Sequence, residues 1–110
     1  KIVPPDMRTV STIDKVAGKN PPLYNLKDHP EFSGMNVVFM DMKINRENVG
    51  EYMIAPAYVF ADGKSPKDVD PIYICTGSDN VFNRCFEAFS NNAFPVSGKL
   101  RKSGRAWFFD

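Results

Sequence analysis

Apolar and polar residues alternate over positions 35–44. Val38, Met40, Met42 and Ile44 share one side of an extended chain, and Val37, Phe39, Asp41 and Lys43 share the other. A period of two predicts a strand with one apolar and one mixed face. Gly34 precedes it and a polar loop at 45–50 follows. Positions 51–60 predict a second strand. Its internal Pro56 offers no N–H to a ladder, which places this strand at an edge or at a bulge. Asp62-Gly63 opens a turn that continues as a polar loop to Pro71, and a third strand follows at 72–75. The pattern then changes period. Val81, Phe82, Cys85, Phe86 and Phe89 recur at helical spacing behind a Ser78 N-cap, with Asp79 in the first turn and Asn91-Asn92 at the end. This stripe is expected to pack on the sheet. Two apolar runs, 94–100 and 105–109, flank Arg101-Lys102-Ser103-Gly104 and predict a closing β-hairpin.

The first 33 residues hold five of the nine prolines. Each removes a donor and fixes φ, so this region reads as an extended arm, laid on the domain by Val10, Ile13, Val16, Leu23, Tyr24 and Leu26, with one turn of helix capped by Ser11 or Thr12 and stopped by Gly18. The expected organisation is therefore a proline-rich arm, 1–33, and a domain, 34–110. Strand, strand, strand, helix, strand, strand is the connectivity of a five-stranded OB-like Greek-key barrel. The fold class expected is mainly β (α+β), with one helix between strands three and four plugging the barrel. An open antiparallel sheet with the helix on one face gives the same element order and competes with it.

Composition narrows the function classes. The chain has 110 residues, 43% hydrophobic and 25% charged, which suits one globular domain. Its net charge of +1 excludes a polybasic binder, though not a local basic patch. Cys75 and Cys85 sit among apolar residues and read as reduced, buried thiols, so a cytoplasmic setting is expected. No apolar run approaches bilayer length, and none follows the first five residues as a signal peptide requires.

Catalysis finds no support. The lone His29, beside Pro30, reads as a turn residue rather than a catalyst, which needs an oriented partner, and no nucleophile–base set or phosphate-binding glycine loop is present. Asp41, Glu47, Glu51, Asp62, Asp68 and Asp70 are scattered over loops and strand exteriors, where solvation is their ordinary role. No metal or cofactor is expected, and no small-molecule substrate.

Charge placement is more informative. Lys99, Arg101, Lys102 and Arg105 crowd the last hairpin, with no acid between Pro95 and Phe109. Cations beside strand-borne aromatics are what single-stranded nucleic acid needs, because cations follow phosphates and rings stack on bases. In an OB arrangement the binding face lies on strands two and three between the first and last hairpin loops. The candidate nucleic-acid-binding residues are therefore Tyr52, Tyr58 and Tyr73 on strands, Lys43 and Arg46 near the first hairpin, and Lys99, Arg101, Lys102, Arg105 and Trp107 in the last. Trp107 qualifies only if it faces outward. Basic hairpins also guard sheet edges against pairing.

The run Ile74-Cys-Thr-Gly-Ser78, an apolar helix, Ala93-Phe-Pro-Val-Ser97, a lysine-rich turn and an aromatic final strand resemble the closing half of small single-stranded DNA-binding proteins of bacteriophages. The resemblance covers about 35–109. It implies an OB-fold, non-sequence-specific coating of single-stranded DNA in replication or recombination, no catalysis, and homo-oligomers. The chain departs from the family in lacking an acidic tail and in carrying the proline-rich arm. The alternative expectation is a protein–protein interaction module of a phage or replisome assembly, in which the arm wraps a neighbour.

Overall fold

The computed structural model describes residues 21–47 and 50–110, the side chains of Arg46 and Glu47 excepted. The helical turn expected near Ser11 and Thr12 lies outside these residues. The elements run β1 (Leu23–Asn25), β2 (Asn36–Phe39), β3 (Lys43–Glu47), β4 (Gly50–Phe60), β5 (Ile72–Thr76), α1 (Asp79–Ser90), β6 (Val96–Ser103) and β7 (Ala106–Phe109). The strands form one seven-stranded sheet, ordered β1-β5-β4-β2-β6-β7, with β3 also paired to β4. Among the described residues the mainly β class holds, with one α-helix. The closed five-stranded barrel does not, because the sheet stays open.

The reason for the opening lies in the proline-rich arm. Leu23–Asn25 pair in parallel with Tyr73–Cys75, and the Tyr73 N–H donates to the Pro22 carbonyl at 2.8 Å. A strand has two edges. With β4 on one and β1 on the other, β5 has no edge left for β7 along this stretch. The described part of the arm, 21–33, packs on the domain. Leu26 is fully buried and Phe32 nearly so, both within the main core. Tyr24, His29 and Phe32 pack ring against ring, and the His29 ring lies 2.8 Å from the Glu31 carboxylate, a contact that lowers the Glu31 pKa.

The eleven-residue β4 is central rather than an edge. Its end at Ala57–Phe60 pairs with β2, its start at Gly50–Ile54 pairs with β3, and Met53–Ala57 pair with β5. The expected single strand at 35–44 is thus two strands. Between them Met40, Asp41 and Met42 lie against only Ala55 and Pro56, so the extra residue bulges opposite the proline. Pro56 needs no donor there: its carbonyl accepts from the Met40 N–H at 2.9 Å, and the missing N–H would point into the bulge. On the other edge Pro56 opposes Tyr73, whose own N–H points away towards β1. The expected loop at 45–50 is instead the β3–β4 hairpin.

Strand alternation builds the core. Val37 and Phe39 of β2, Met53, Ala55, Ala57 and Val59 of β4, Ile74 of β5, Leu100 of β6 and Trp107 of β7 lie within it. Gly98 belongs to the same side: a Cβ there would stand 3.0 Å from the Phe109 ring, which crosses Phe39 edge to face. From α1 the core takes Val81 and Cys85. The phenylalanine stripe expected to plug the barrel turns the other way, with Phe86 at 44% and Phe89 at 46% exposure and Phe82 half-buried. Helical spacing was correct, but the buried side is the one with the small residues, so the helix lies close to β7. Ser78 caps α1 by position alone. Its hydroxyl donates to the Trp107 carbonyl at 3.2 Å, joining the start of the helix to β7.

The closing hairpin turns two residues later than expected. Ser103 pairs with Ala106, leaving Gly104 and Arg105 as the two turn residues, and positive φ occurs at Gly104 only, as a type II′ turn requires. Arg101 and Lys102 are therefore strand residues.

The burial of Leu26 decides whether 21–33 is an arm or part of the domain. Leu26→Ala is expected to destabilise the chain by roughly 2–5 kcal/mol, as for other core truncations. Urea unfolding checks this, and a detachable arm would leave the midpoint unchanged.

Candidate nucleic-acid interface

Register sorts the side chains onto two faces of the sheet. On the outer face, opposite the core, Tyr73 stands across from Pro56, and Tyr52 and Tyr58 occupy the same side of β4. Lys43 opposes Ile54 on this side, and Asn45 opposes Tyr52, with an Asn45 Nδ2 to Tyr52 hydroxyl distance of 3.4 Å. Lys99, opposite Asn36, and Arg101, two residues on, continue the face onto β6. The structure thus places Tyr52, Tyr58, Tyr73, Lys43, Lys99 and Arg101 on one face of the sheet. The tyrosines are all half-buried, and desolvation raises the Tyr58 pKa above the usual phenol value. Part of the face is covered: the β4–β5 connection lies against β4 with Pro66 buried, and Val38 and Met40 are buried outside the main core.

The remaining candidates fare differently. Trp107 is 2% exposed and sits within the core, so the outward orientation on which its candidacy depended is not met. Alternation explains the reversal. Phe109 and Trp107 share a side, Leu100 faces Phe109 across the hairpin, and Leu100 is fully buried. Phe108 then takes the outer side opposite Arg101, and it is 38% exposed. Lys102 opposes Trp107 on the inner side, and its backbone N–H donates to the Ser33 hydroxyl at 2.9 Å. Arg105 is exposed in the turn. The side chain of Arg46 lies outside the described residues.

Two of the cations already have carboxylate partners. Lys99 Nζ lies 3.0 Å from Asp62 Oδ2, while Asp62 Oδ1 accepts from Asn36 Nδ2 at 2.9 Å. The Asn36 hydrogen bond, then Lys99, hold the Asp62 carboxyl below its ordinary range. Arg101 bonds Asp110 at 3.1 Å. Sequence reasoning missed both pairings. Asp110 was recognisable as the one acid beside the hairpin, but nothing in the sequence brings Asp62 to Lys99, 37 positions apart.

At the open seam the outer face runs into a cleft of about 660 Å³. Tyr52 and Ile54 of β4, Cys75 of β5, Leu23 of β1, Arg105 of the last turn and Trp107 of β7 are among the residues that line it. A second cleft, of about 560 Å³, lies between α1 and the β6–β7 hairpin and reaches Cys85. Among the described residues, no three His, Cys, Asp or Glu side chains gather to hold a metal ion. Asp68, weighed above as a metal ligand, is engaged locally: its carboxylate accepts from the Ser65 N–H at 2.8 Å in a capping box. No helix of the described residues is long and apolar enough to cross a membrane.

The two thiols differ in setting. Burial pushes the Cys85 thiol up to about 12, whereas Cys75 is half-buried at the cleft. The nucleophile is the thiolate, so a maleimide or disulfide reagent at pH 8 is expected to modify Cys75 well before Cys85. Mass mapping of the labelled peptides checks the order. No family model, curated protein or solved structure matches this chain.

Proposed function

We propose that the outer face of the sheet binds single-stranded DNA without sequence preference and without catalysis, in replication or recombination. One observation carries this reading: register aligns Tyr52, Tyr58, Tyr73, Lys43, Lys99 and Arg101 on a single face. Rings on a sheet surface offer π-faces that every base can use, and the flanking cations follow the phosphates. Phe108 adds an exposed ring beside Arg101. The strand pairings support kinship with the OB arrangement. β2 lies between β4 and β6, α1 joins β5 to β6, and the last hairpin is β6–β7. In that arrangement the same strands and hairpin loops form the binding surface.

Anisotropy of a labelled oligo-dT at two salt concentrations tests the reading. Saturable binding that weakens with salt is expected. Replacing Tyr73 or Phe108 by Ala is expected to cost roughly 1–3 kcal/mol each. Salt-independent binding, or none, overturns it. Asp62 competes with phosphate for Lys99, so Asp62→Asn is expected to tighten binding and to steepen the logarithmic salt dependence by about 0.7, one additional phosphate contact. The same competition sets a pH direction. The Asp62–Lys99 pair persists above the lowered Asp62 pKa and is lost as pH falls through it.

A second reading, contact with protein, is favoured by Phe86 and Phe89, two large exposed rings on one helix. If the chain self-associates through this surface, Phe86→Ser with Phe89→Ser reduces it to monomer in sedimentation while leaving oligo-dT binding unchanged. An unchanged sedimentation coefficient removes this reading.

A further inference from the structure

The cleft at the open seam has features that base stacking on the sheet does not require. Lys27 and Arg105 line it, and neither is ion-paired among the described residues. Among the described residues Glu51 is its one acidic lining residue, and Asp79 stands exposed in the first turn of α1, next to Ser78. Ser78, also in the lining, is the N-cap of the twelve-residue α1, yet its side chain accepts no hydrogen bond from the first-turn amides. Its hydroxyl is committed to the Trp107 carbonyl, and its own N–H to Thr76 Oγ1 at 3.1 Å. The positive end of the helix dipole therefore meets the cleft without the usual side-chain acceptor. Trp107, in the same lining and 2% exposed, has a buried Nε1 with no hydrogen-bond partner. A buried donor of this kind is rare and favours an acceptor nearby.

Two unpaired cations and an uncapped helix start line one cavity, and the unpartnered indole N–H belongs to a residue of the same lining; together they call for an anion with several acceptor oxygens. Tyr52, also in the lining, supplies a ring. We propose that this cleft holds one phosphate group of a nucleotide between Arg105 and Lys27 at the start of α1, with the attached base against Tyr52. The proposal rests on the single-strand reading and deepens it. The phosphate is held at the seam, while Lys99 and Arg101, occupied by Asp62 and Asp110, contribute less than their crowding in the sequence suggests. The volume, about 660 Å³, is within the range of small-ligand clefts.

The test uses the full chain and follows the backbone amides of 77–81 by NMR during titration with dTMP, inorganic phosphate and thymidine. Saturable shifts with dTMP, at a dissociation constant on the order of 1 mM, weaker ones with phosphate and none with thymidine are expected. Lys27→Ala with Arg105→Ala, both exposed and outside the core, is expected to weaken dTMP by about tenfold or more, and Lys99→Ala is expected to leave it unchanged. Thymidine shifting these amides as strongly as dTMP overturns the phosphate assignment, as does indifference to the double substitution. If oligo-dT binds and dTMP does not, the cleft proposal fails and the sheet-face reading stands. If dTMP binds and oligo-dT does not, the cleft stands and the sheet-face reading fails.

Discussion

The parallel pairing of Leu23–Asn25 with Tyr73–Cys75 is the constraint from which the rest of the architecture follows. It uses the second edge of β5, and an edge can pair only once. The sheet consequently stays open between β5 and β7, where a five-stranded barrel would close. One side-chain hydrogen bond, Ser78 hydroxyl to Trp107 carbonyl, spans the start of α1 and β7 instead. The same pairing makes β1 a wall of the seam cleft and brings Leu26 and Phe32 into the core.

The second organising device is the mismatch of Met40, Asp41 and Met42 against Ala55 and Pro56. A proline in a central strand is normally excluded because the ladder loses a donor. Here the bulge sits where that donor would point, so β4 pairs with β2 before the bulge and with β3 beyond it, while keeping β5 throughout its middle. One long strand thereby aligns Tyr52 and Tyr58 on one face and Met53, Ala55, Ala57 and Val59 on the other. The function proposed for the outer face depends on this alternation surviving across the bulge.

Charge on the outer face is organised by competition. Lys99 and Arg101 each carry a carboxylate partner drawn from outside their own strand, and Lys27 and Arg105 at the cleft carry none among the described residues. A net charge of +1 is thus compatible with a local site for anions, because pairing neutralises some cations and leaves others available.

By itself the sequence determined the elements whose signals are local. Its apolar runs placed the strand at 51–60 and the strand at 72–75 to within a residue or so, and 3.6-residue spacing behind Ser78 placed the helix. Glycine chemistry put the last turn next to Gly104. These features depend on a residue and its near neighbours, which is why they were legible. Tertiary structure alone decided which face of each element is buried. It turned Trp107 inward and Phe108 outward, exposed Phe86 and Phe89 in favour of Val81 and Cys85, paired Asp62 with Lys99, and set β1 against β5. Alternation states that two sides differ, and only the partner packed against one of them determines which is the core. For the candidate site that choice governs everything, since a ring binds a base only from the side left open.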